Sequence, residues 1–575
     1  MRKINGFLFL LFLFPAGLNA QGFLHTRGKY IYDAAGNEII LRGIGTGNWM
    51  LQEGYMMQSA RVAGTQHEFR EKLTETIGKA KTDSFYTAWL ACHFTRADVH
   101  AMKSWGFNSV RVAMHYKWFT LPIEEEPVKG ENTWLEKGFV MIDSLLRWCS
   151  DNEMYLILDM HGAPGGQGKD ANISDYDETK PSLWESVENK SKTIALWHKL
   201  AERYSNEPWI GGYDLINETN WPFTEADNAP LRELLRQLTK AIREVDKNHI
   251  IILEGNGWGN DYKGLTPPWD GNMVYSFHKY WSYNTPKVIQ FITTLRDTCN
   301  VPIWLGESGE NSNTWFTNCI ALCESMHIGW SWWPVKKPGN NNPLKVKVNS
   351  GYKALIDSWE GKGTAPSEPE AFDAVMQFAA NHKIENCEFH PDVVDAMIRQ
   401  PHSTETLPFK PHSLNQAVFA SDYDLGRNGY AYADFDTANY HQSEFGRHTT
   451  WNHGHSYRND GVDIGPCNDT LLTNGYQVGW TAEGEWLLFT LHAERAAKCK
   501  LGIRYATDEN NPVVHLEIDG KPAGVPIALP STGDWQQWAT FEAGELTIPA
   551  GTHKVKFCFD EGSINLNYFR LSAAE

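Results

Sequence analysis

The sequence lacks a second long apolar run. Beyond residues 7–14, no stretch of the 575 residues has the length and continuity of a bilayer span. The chain that remains after that segment is therefore expected to be soluble, without membrane insertion. Nine cysteines are present, but there is no CxxC pair and no Cys/His cluster at zinc-ligand spacing. Their odd number leaves at least one thiol free or paired between chains, and Cys319 and Cys323 stand four apart in a helical pattern. Positive charge is also short. There are 52 Lys and Arg against 70 Asp and Glu, a net charge of −18, which gives no attraction to a phosphate backbone, so nucleic acid is not an expected partner. No internal repeat is visible.

Residues 1–20 have a basic start at Arg2 and Lys3, the apolar run, and a small-residue exit. This is the pattern of a secretory signal peptide, so a secreted or periplasmic location is expected, and no cysteine near the cut supports a lipid anchor. Aromatics make up 13%, with 24 Trp. Such residues serve large cores and also the stacking of sugar rings on indole faces.

Short β-rich runs recur at 39–44, 108–114, 154–160, 210–216, 249–254, 273–278, 301–306 and 328–333, with helical patterns such as 193–204 and 231–245 between them. Eight β-then-α units predict a (β/α)8 barrel over 21–400; a doubly wound open sheet is the alternative pattern. Polar residues end most of these runs: Arg111, Asp159 and His161, Asn217 and Glu218, His278 and Tyr280, Glu307, and Trp333. In a barrel those ends converge on one face. Residues 401–415, rich in Pro, His, Ser and Thr, read as a linker, and 416–575 show the short alternating strands and Gly turns of a β-sandwich.

Cleaving a glycosidic bond requires one carboxyl to protonate the leaving oxygen and a second to attack or to activate water. Glu218 in YDLINETNW and Glu307 in PIWLGESGE suit this pair. Asn217 can hold a sugar 2-hydroxyl, Tyr280 can donate to a carboxylate, His278 can orient sugar or acid, and Arg111 can lower the pKa of Glu307. Gly306 is read as permitting close substrate approach. Glu254, which also ends a strand, is the rival carboxylate, and Glu310 is placed at the rim. In alternating geometry only one of Trp332 and Trp333 can face the mouth, and Trp333 is the favoured one.

The pieces FNSVRVAMHY, LILDMHGAPGGQ, LINETNW, YSFHKYW, WLGESGEN and GWSWWPVK together resemble the family 5 glycoside hydrolases, and RGIGTGNWM with DMHGAPGGQ looks most like the β-1,3-glucanase branch. The resemblance implies that Glu218 is the acid/base and Glu307 the nucleophile, and that Arg111, His161, Asn217, His278, Tyr280 and Trp333 line the subsite of the attacked sugar. Thr219 and Ser308 depart from the usual Pro and Phe, which bears on specificity. The C-terminal segments YQVGWTAEGEWLLF, LPSTGDWQQW and INLNYF resemble the family 6 carbohydrate-binding modules. That resemblance implies sugar binding by Trp480, Trp535 and Asn565. It also allows a structural calcium, against which Ser421 stands where an acid is usual. No other cofactor is expected. The expected partner is a β-linked glucan cleaved with retention of configuration, with β-1,3 and β-1,4 linkages both open. A non-catalytic glycan-binding protein, a transglycosylase on the same residues, and a metal-dependent hydrolase using Asp159, His161 and His278 are the competing readings.

Overall fold

The computed structural model describes residues 22–435 and 451–573; the expected signal peptide lies outside them. Eight parallel strands close into a barrel: β1 (Arg42–Gly45), β2 (Ser109–His115), β3 (Tyr155–Gly162), β4 (Ile210–Asp214), β5 (Ile251–Glu254), β6 (Met273–Lys279), β7 (Ile303–Gly309) and β8 (Gly329–Trp333), with β8 paired to β1. Closure decides against the open sheet. These strands read as apolar runs because each is covered by helices outside and by the barrel core inside, so every residue of β2, β3 and β6 is buried. A hairpin of His25–Arg27 with Tyr30–Tyr32 plugs the N-terminal end. Its Leu24 and Ile31 share a core with Ile157, Ile252, Val274 and Trp304.

The insertion after β1 is built from two helices, Gln66–Ile77 and Lys79–His93. Thr65 and Glu68 start the first with a capping box. Trp49 and Trp89 fix it to the barrel, the one donating to Leu90 O at 2.9 Å and the other to Asn48 O at 3.0 Å. At its other edge the backbone N–H of His67 donates to Asp175, a buried carboxylate also bonded to His115 and Lys117. Three further helices, Ser350–Trp359, Glu368–Ala380 and Pro391–Ile398, complete the outer layer.

The second domain is a sandwich of two sheets. One is built on Trp486–Ala493, Val513–Ile518 and Gly551–Glu561, the other on Ala497–Thr507, Asp534–Ile548 and Asn565–Ala573. Phe489, Leu501, Ile503, Phe557 and Phe569 fill the space between them. The expected linker is not loose. His412–Ser413 pairs with Trp486–Ala493, Leu407 pairs with Leu425, and Lys554 donates to Thr406 Oγ1 at 2.7 Å. Pro and Ser content signals irregular backbone here, but that backbone is hydrogen-bonded to the sandwich from residue 406 onward.

A buried polar network joins the domains. The Asn313 side-chain amide donates to Asp392 at 2.7 Å and to Asp460 at 3.0 Å. Asn459 donates from its backbone to Asp392 at 2.9 Å and from its side chain to Asn311 O at 2.8 Å. Asn311 and Asn313 follow β7, Asp392 opens the helix Pro391–Ile398, and Asn459 and Asp460 belong to the sandwich. Asn340, beyond β8, donates to His455 O at 2.9 Å. The sandwich is therefore seated on the loops at the C-terminal mouth of the barrel, where a (β/α)8 fold places its chemistry.

Candidate active site

Arg111 on β2 is fully buried and organises the mouth. It donates to Glu307 at 2.8 Å, Asn217 at 2.8 Å, Glu254 at 2.9 Å and Asp214 at 3.0 Å, and lies 3.3 Å from Asp159. One guanidinium thus meets four carboxylates and one amide carbonyl, a use of its fixed fork that a lysine does not reproduce. Burial and the charge of Glu254 push the Asp214 carboxyl well above the ordinary range, with Arg111 opposing them.

Glu307 ends β7. Arg111 holds one of its oxygens, and the Tyr280 hydroxyl donates to the other at 2.9 Å. Burial pushes Glu307 up, with the charge of Glu218 adding to this, while His278 and Arg111 pull it down. The expectation that Arg111 lowers this carboxyl is met in direction but outweighed by burial. Gly306 beside it does not serve substrate approach: a Cβ there would lie 2.0 Å from Ser276 Oγ, so the glycine is needed for β6 and β7 to pack.

Glu218 lies past the end of β4, at a left-handed φ of 39°. Such a conformation costs a non-glycine residue and persists where the surroundings fix it. Here its backbone N–H donates to Glu254 Oε2 at 2.7 Å, and its Oε1 lies 2.6 Å from His278 Nδ1. His278 Nε2 is 3.0 Å from Glu254 Oε1. Burial disfavours a charged imidazole, but Glu254, Glu307 and Glu218 outweigh it and raise His278 well above its usual value. Glu254 is itself buried, yet His278 and Arg111 bring it down to about 2. The rival carboxylate is thus spent on holding Arg111, His278 and the backbone of Glu218, a role its position in the sequence does not reveal.

His161 stacks on Trp333 with ring centroids 4.9 Å apart at 7°, and its Nδ1 is 2.7 Å from Asp159. Trp333 faces the mouth and donates to Tyr55 Oη at 3.1 Å, whereas Trp332 packs outward on Trp315, Phe316 and Trp330. A cleft of about 670 Å³ opens over these groups, lined by Glu218, Glu307, His161, His278, Tyr280 and Trp333. Arg111 and Asn217 lie beneath as buried supports. The cleft also exposes residues the sequence did not single out: Glu53 and Tyr55 from the insertion, Trp258, and Trp281. Glu310 lines it as well, ion-paired with Lys337.

One oxygen of Glu218, one of Glu307 and one nitrogen of His278 lie within 4.8 Å of one another. Both ring nitrogens of His278 are already directed at carboxylates, Nδ1 at Glu218 and Nε2 at Glu254, so neither is turned toward a metal between the three groups.

In the sandwich, Trp480 is 54% and Trp535 37% exposed, so neither is core. The Asn565 amide donates to Trp535 O at 2.6 Å, and a Cβ on Gly479 would lie 2.5 Å from Asn565 Oδ1, so the three expected sugar-binding residues stand together. Ser421 accepts from the Asn474 amide, and the adjacent Asp422 carboxylate is taken by Tyr457 and Lys410. That donor set does not fit a calcium ion.

Residues 71–339 match the family model for cellulase, glycosyl hydrolase family 5, and residues 458–571 match that for a carbohydrate binding module of family 35. The barrel is a family 5 glycosyl hydrolase domain, and a carbohydrate-binding module follows it. The module is family 35, which corrects the expected family 6; a two-sheet sandwich with exposed aromatics does not separate the two by pattern. The chain is 31% identical over 269 residues to a β-xylosidase of Phanerodontia chrysosporium, covering 46% of this chain and 53% of the relative. It is 31% identical over 188 residues to endoglucanase C of Acetivibrio thermocellus, covering 32% and 50%. It is 24% identical over 370 residues to a glucan 1,3-beta-glucosidase of Candida oleophila, covering 56% and 82%. The chain spans about half the length of the first two relatives.

Proposed function

We propose that this chain is an exported retaining glycosidase that hydrolyses a β-linked glucan, with Glu307 as nucleophile and Glu218 as acid/base. The observation that carries this reading is the approach of the two carboxylates to within 4.8 Å across the cleft. Retention is associated with carboxyls about 5–5.5 Å apart and inversion with about 6.5–9.5 Å, where a water must fit between them.

The hydrogen bonds divide the roles. Both oxygens of Glu307 accept, from a guanidinium that never deprotonates and from the Tyr280 phenol, which burial keeps protonated. Glu307 is thereby oriented as an acceptor and attacks the anomeric carbon. Glu218 gives one oxygen to His278, while its carboxyl lines the cleft beside the leaving group. It donates a proton to the glycosidic oxygen as the C–O bond breaks and a glycosyl ester forms on Glu307. It then takes a proton from water, which attacks the anomeric carbon and frees Glu307. Asn217, whose carbonyl accepts from Arg111 and whose amide nitrogen lies 3.4 Å from His161 Nε2, supports the floor of the cleft from beneath. Trp333 supplies a ring face, and His161 stacked behind it holds that face in place.

The relatives named endoglucanase and glucan 1,3-beta-glucosidase support glucan as the substrate class, and the start of the sequence supports export. The test is a panel of β-1,3-glucan, β-1,4-glucan, mixed-linkage glucan and xylan, with the first-formed product anomer read by proton NMR. The expected product is the β anomer from a glucan. First release of the α anomer, or wild-type turnover by Glu307→Gln, refutes the assignment.

A further inference from the structure

The cleft and the exposed tryptophans of the sandwich are linked by rings. Trp281, just past β6, lines the cleft together with Glu218 and Glu307. On its other side it meets Trp451 of the sandwich, with ring centroids 6.1 Å apart at 37°. Two residues on, the exposed His453 lies 5.9 Å from Trp480 at 33°. Trp480 stands over Gly465 and directly follows Gly479, which abuts Asn565, and Asn565 holds the backbone of Trp535. Two ring contacts and one step of two residues along the chain thus carry the series from beside Glu218 and Glu307 to the exposed aromatics of the second domain.

This bridge is held rigidly. Asp463 accepts from the His453 backbone at 2.6 Å and lies 2.8 Å from its Nδ1. The Asn452 side chain is buried, donates to Arg458 O at 3.2 Å and accepts from the Ile464 N–H at 3.2 Å. The network of Asn313, Asp392, Asn459 and Asp460 then fixes the whole segment against the barrel mouth. A pre-formed series of ring faces suits the apolar faces of successive sugars and costs little ordering on binding.

We propose that the cleft and the sandwich form one continuous glycan path, with Trp281, Trp451 and His453 as its middle section, so that a single polysaccharide chain engages both domains at once. This rests on the glucan hydrolase reading above. Independent sites on two domains would each bind a short oligosaccharide, with no gain once either is filled. A continuous path instead makes affinity and turnover rise at the chain length that crosses the bridge.

The experiment uses the full chain and a ladder of β-glucan oligosaccharides, an aryl β-glycoside as the short substrate, and the polymer. Calorimetry on Glu307→Gln protein reads binding against chain length, and kcat/KM is read for wild type, Trp451→Ala, Trp451→Phe and Trp480→Ala. The expected result is a step in affinity with length that Trp451→Ala removes, and a fall of about tenfold in the ratio of polymer to aryl-glycoside kcat/KM, the size of one lost aromatic contact. Trp451→Phe restores most of it, and circular dichroism shows each variant folded. A flat length dependence, or an unchanged ratio in folded Trp451→Ala, overturns the path while leaving the hydrolase intact. Failure of the wild type to cleave or bind any glycan overturns both.

Discussion

Replacing Glu254 by Gln tests the charge arrangement beneath the site without removing a group that contacts substrate. In the native site, Glu254 accepts from Arg111 at 2.9 Å, lies 3.0 Å from His278 Nε2 and accepts the Glu218 N–H at 2.7 Å, all of them buried. His278 bridges two carboxylates only while both its nitrogens carry protons; neutral, it donates from one nitrogen and releases either Glu218 or Glu254. Glu254 is the first of the charges that raise His278. Gln keeps a carbonyl that can accept from Nε2 but removes that charge, so the His278 pKa falls. A raised histidine keeps its proton at low pH and loses it as pH climbs through the raised value. The alkaline limb of kcat/KM against pH is therefore expected to move toward acid in Glu254→Gln. The Gln amide also faces donors, so the maximum falls by about ten- to a hundredfold. The assay is a full pH profile on the aryl glycoside, with unfolding followed at each pH. An alkaline limb that stays in place in a folded variant refutes the account of His278.

Three further outcomes follow from the same geometry. Glu218→Gln is expected to lose activity on glucan far more than on a dinitrophenyl β-glycoside, whose leaving group needs no proton; equal losses on both refute the acid/base role. Asn313→Ala removes the donor shared by Asp392 and Asp460. It is expected to destabilise the chain by about 2–4 kcal/mol, read by denaturant unfolding, because two buried carboxylates lose a partner. Trp332→Ala is expected to cost about 3–5 kcal/mol of stability through the cavity it leaves while its folded fraction keeps turnover, whereas Trp333→Ala is expected to lose turnover as well because its ring lines the cleft.

The eight strands were legible because parallel strands buried on both faces leave continuous apolar runs, and each was placed within a few residues of its observed bounds. The end of β4 was overrun. The run continues to Ile216, but pairing stops at Asp214 because the chain turns toward the left-handed Glu218. Alternation allowed only one of Trp332 and Trp333 to face the mouth, and Trp333 is the one that lines the cleft. The role of Glu254 was not, since nothing local shows that a strand-end acid meets an arginine 143 residues away. Glu53 and Tyr55 reach the cleft from an insertion whose fold depends on Trp49, Trp89 and a distant Asp175, contacts that no periodicity encodes. Gly306 was visible as a glycine but assigned to the wrong neighbour: its constraint comes from Ser276 on the adjacent strand.

The seating of the second domain changes how its presence acts on the first. A flexible tether raises local concentration and leaves orientation free. Here the connecting segment is paired to the sandwich from residue 406, and the interface buries Asn311, Asn313, Asp392, Asn459 and Asp460. Buried amides and carboxylates tolerate little sliding, because every displacement strands a donor or a charge away from water. Burial already pushes Asp460 up, with Arg458 opposing it, so the interface has little slack to absorb a lost partner. On the proposed glucan-hydrolase reading, the module sets a direction for the bound polymer as well as its concentration. Mutating the interface should accordingly alter which bond of a long chain is cut before it alters how fast a short substrate turns over. Product sizing from Asn313→Ala on a labelled glucan reads that difference, and an unchanged product pattern with a loosened interface would return the module to the role of a simple tether.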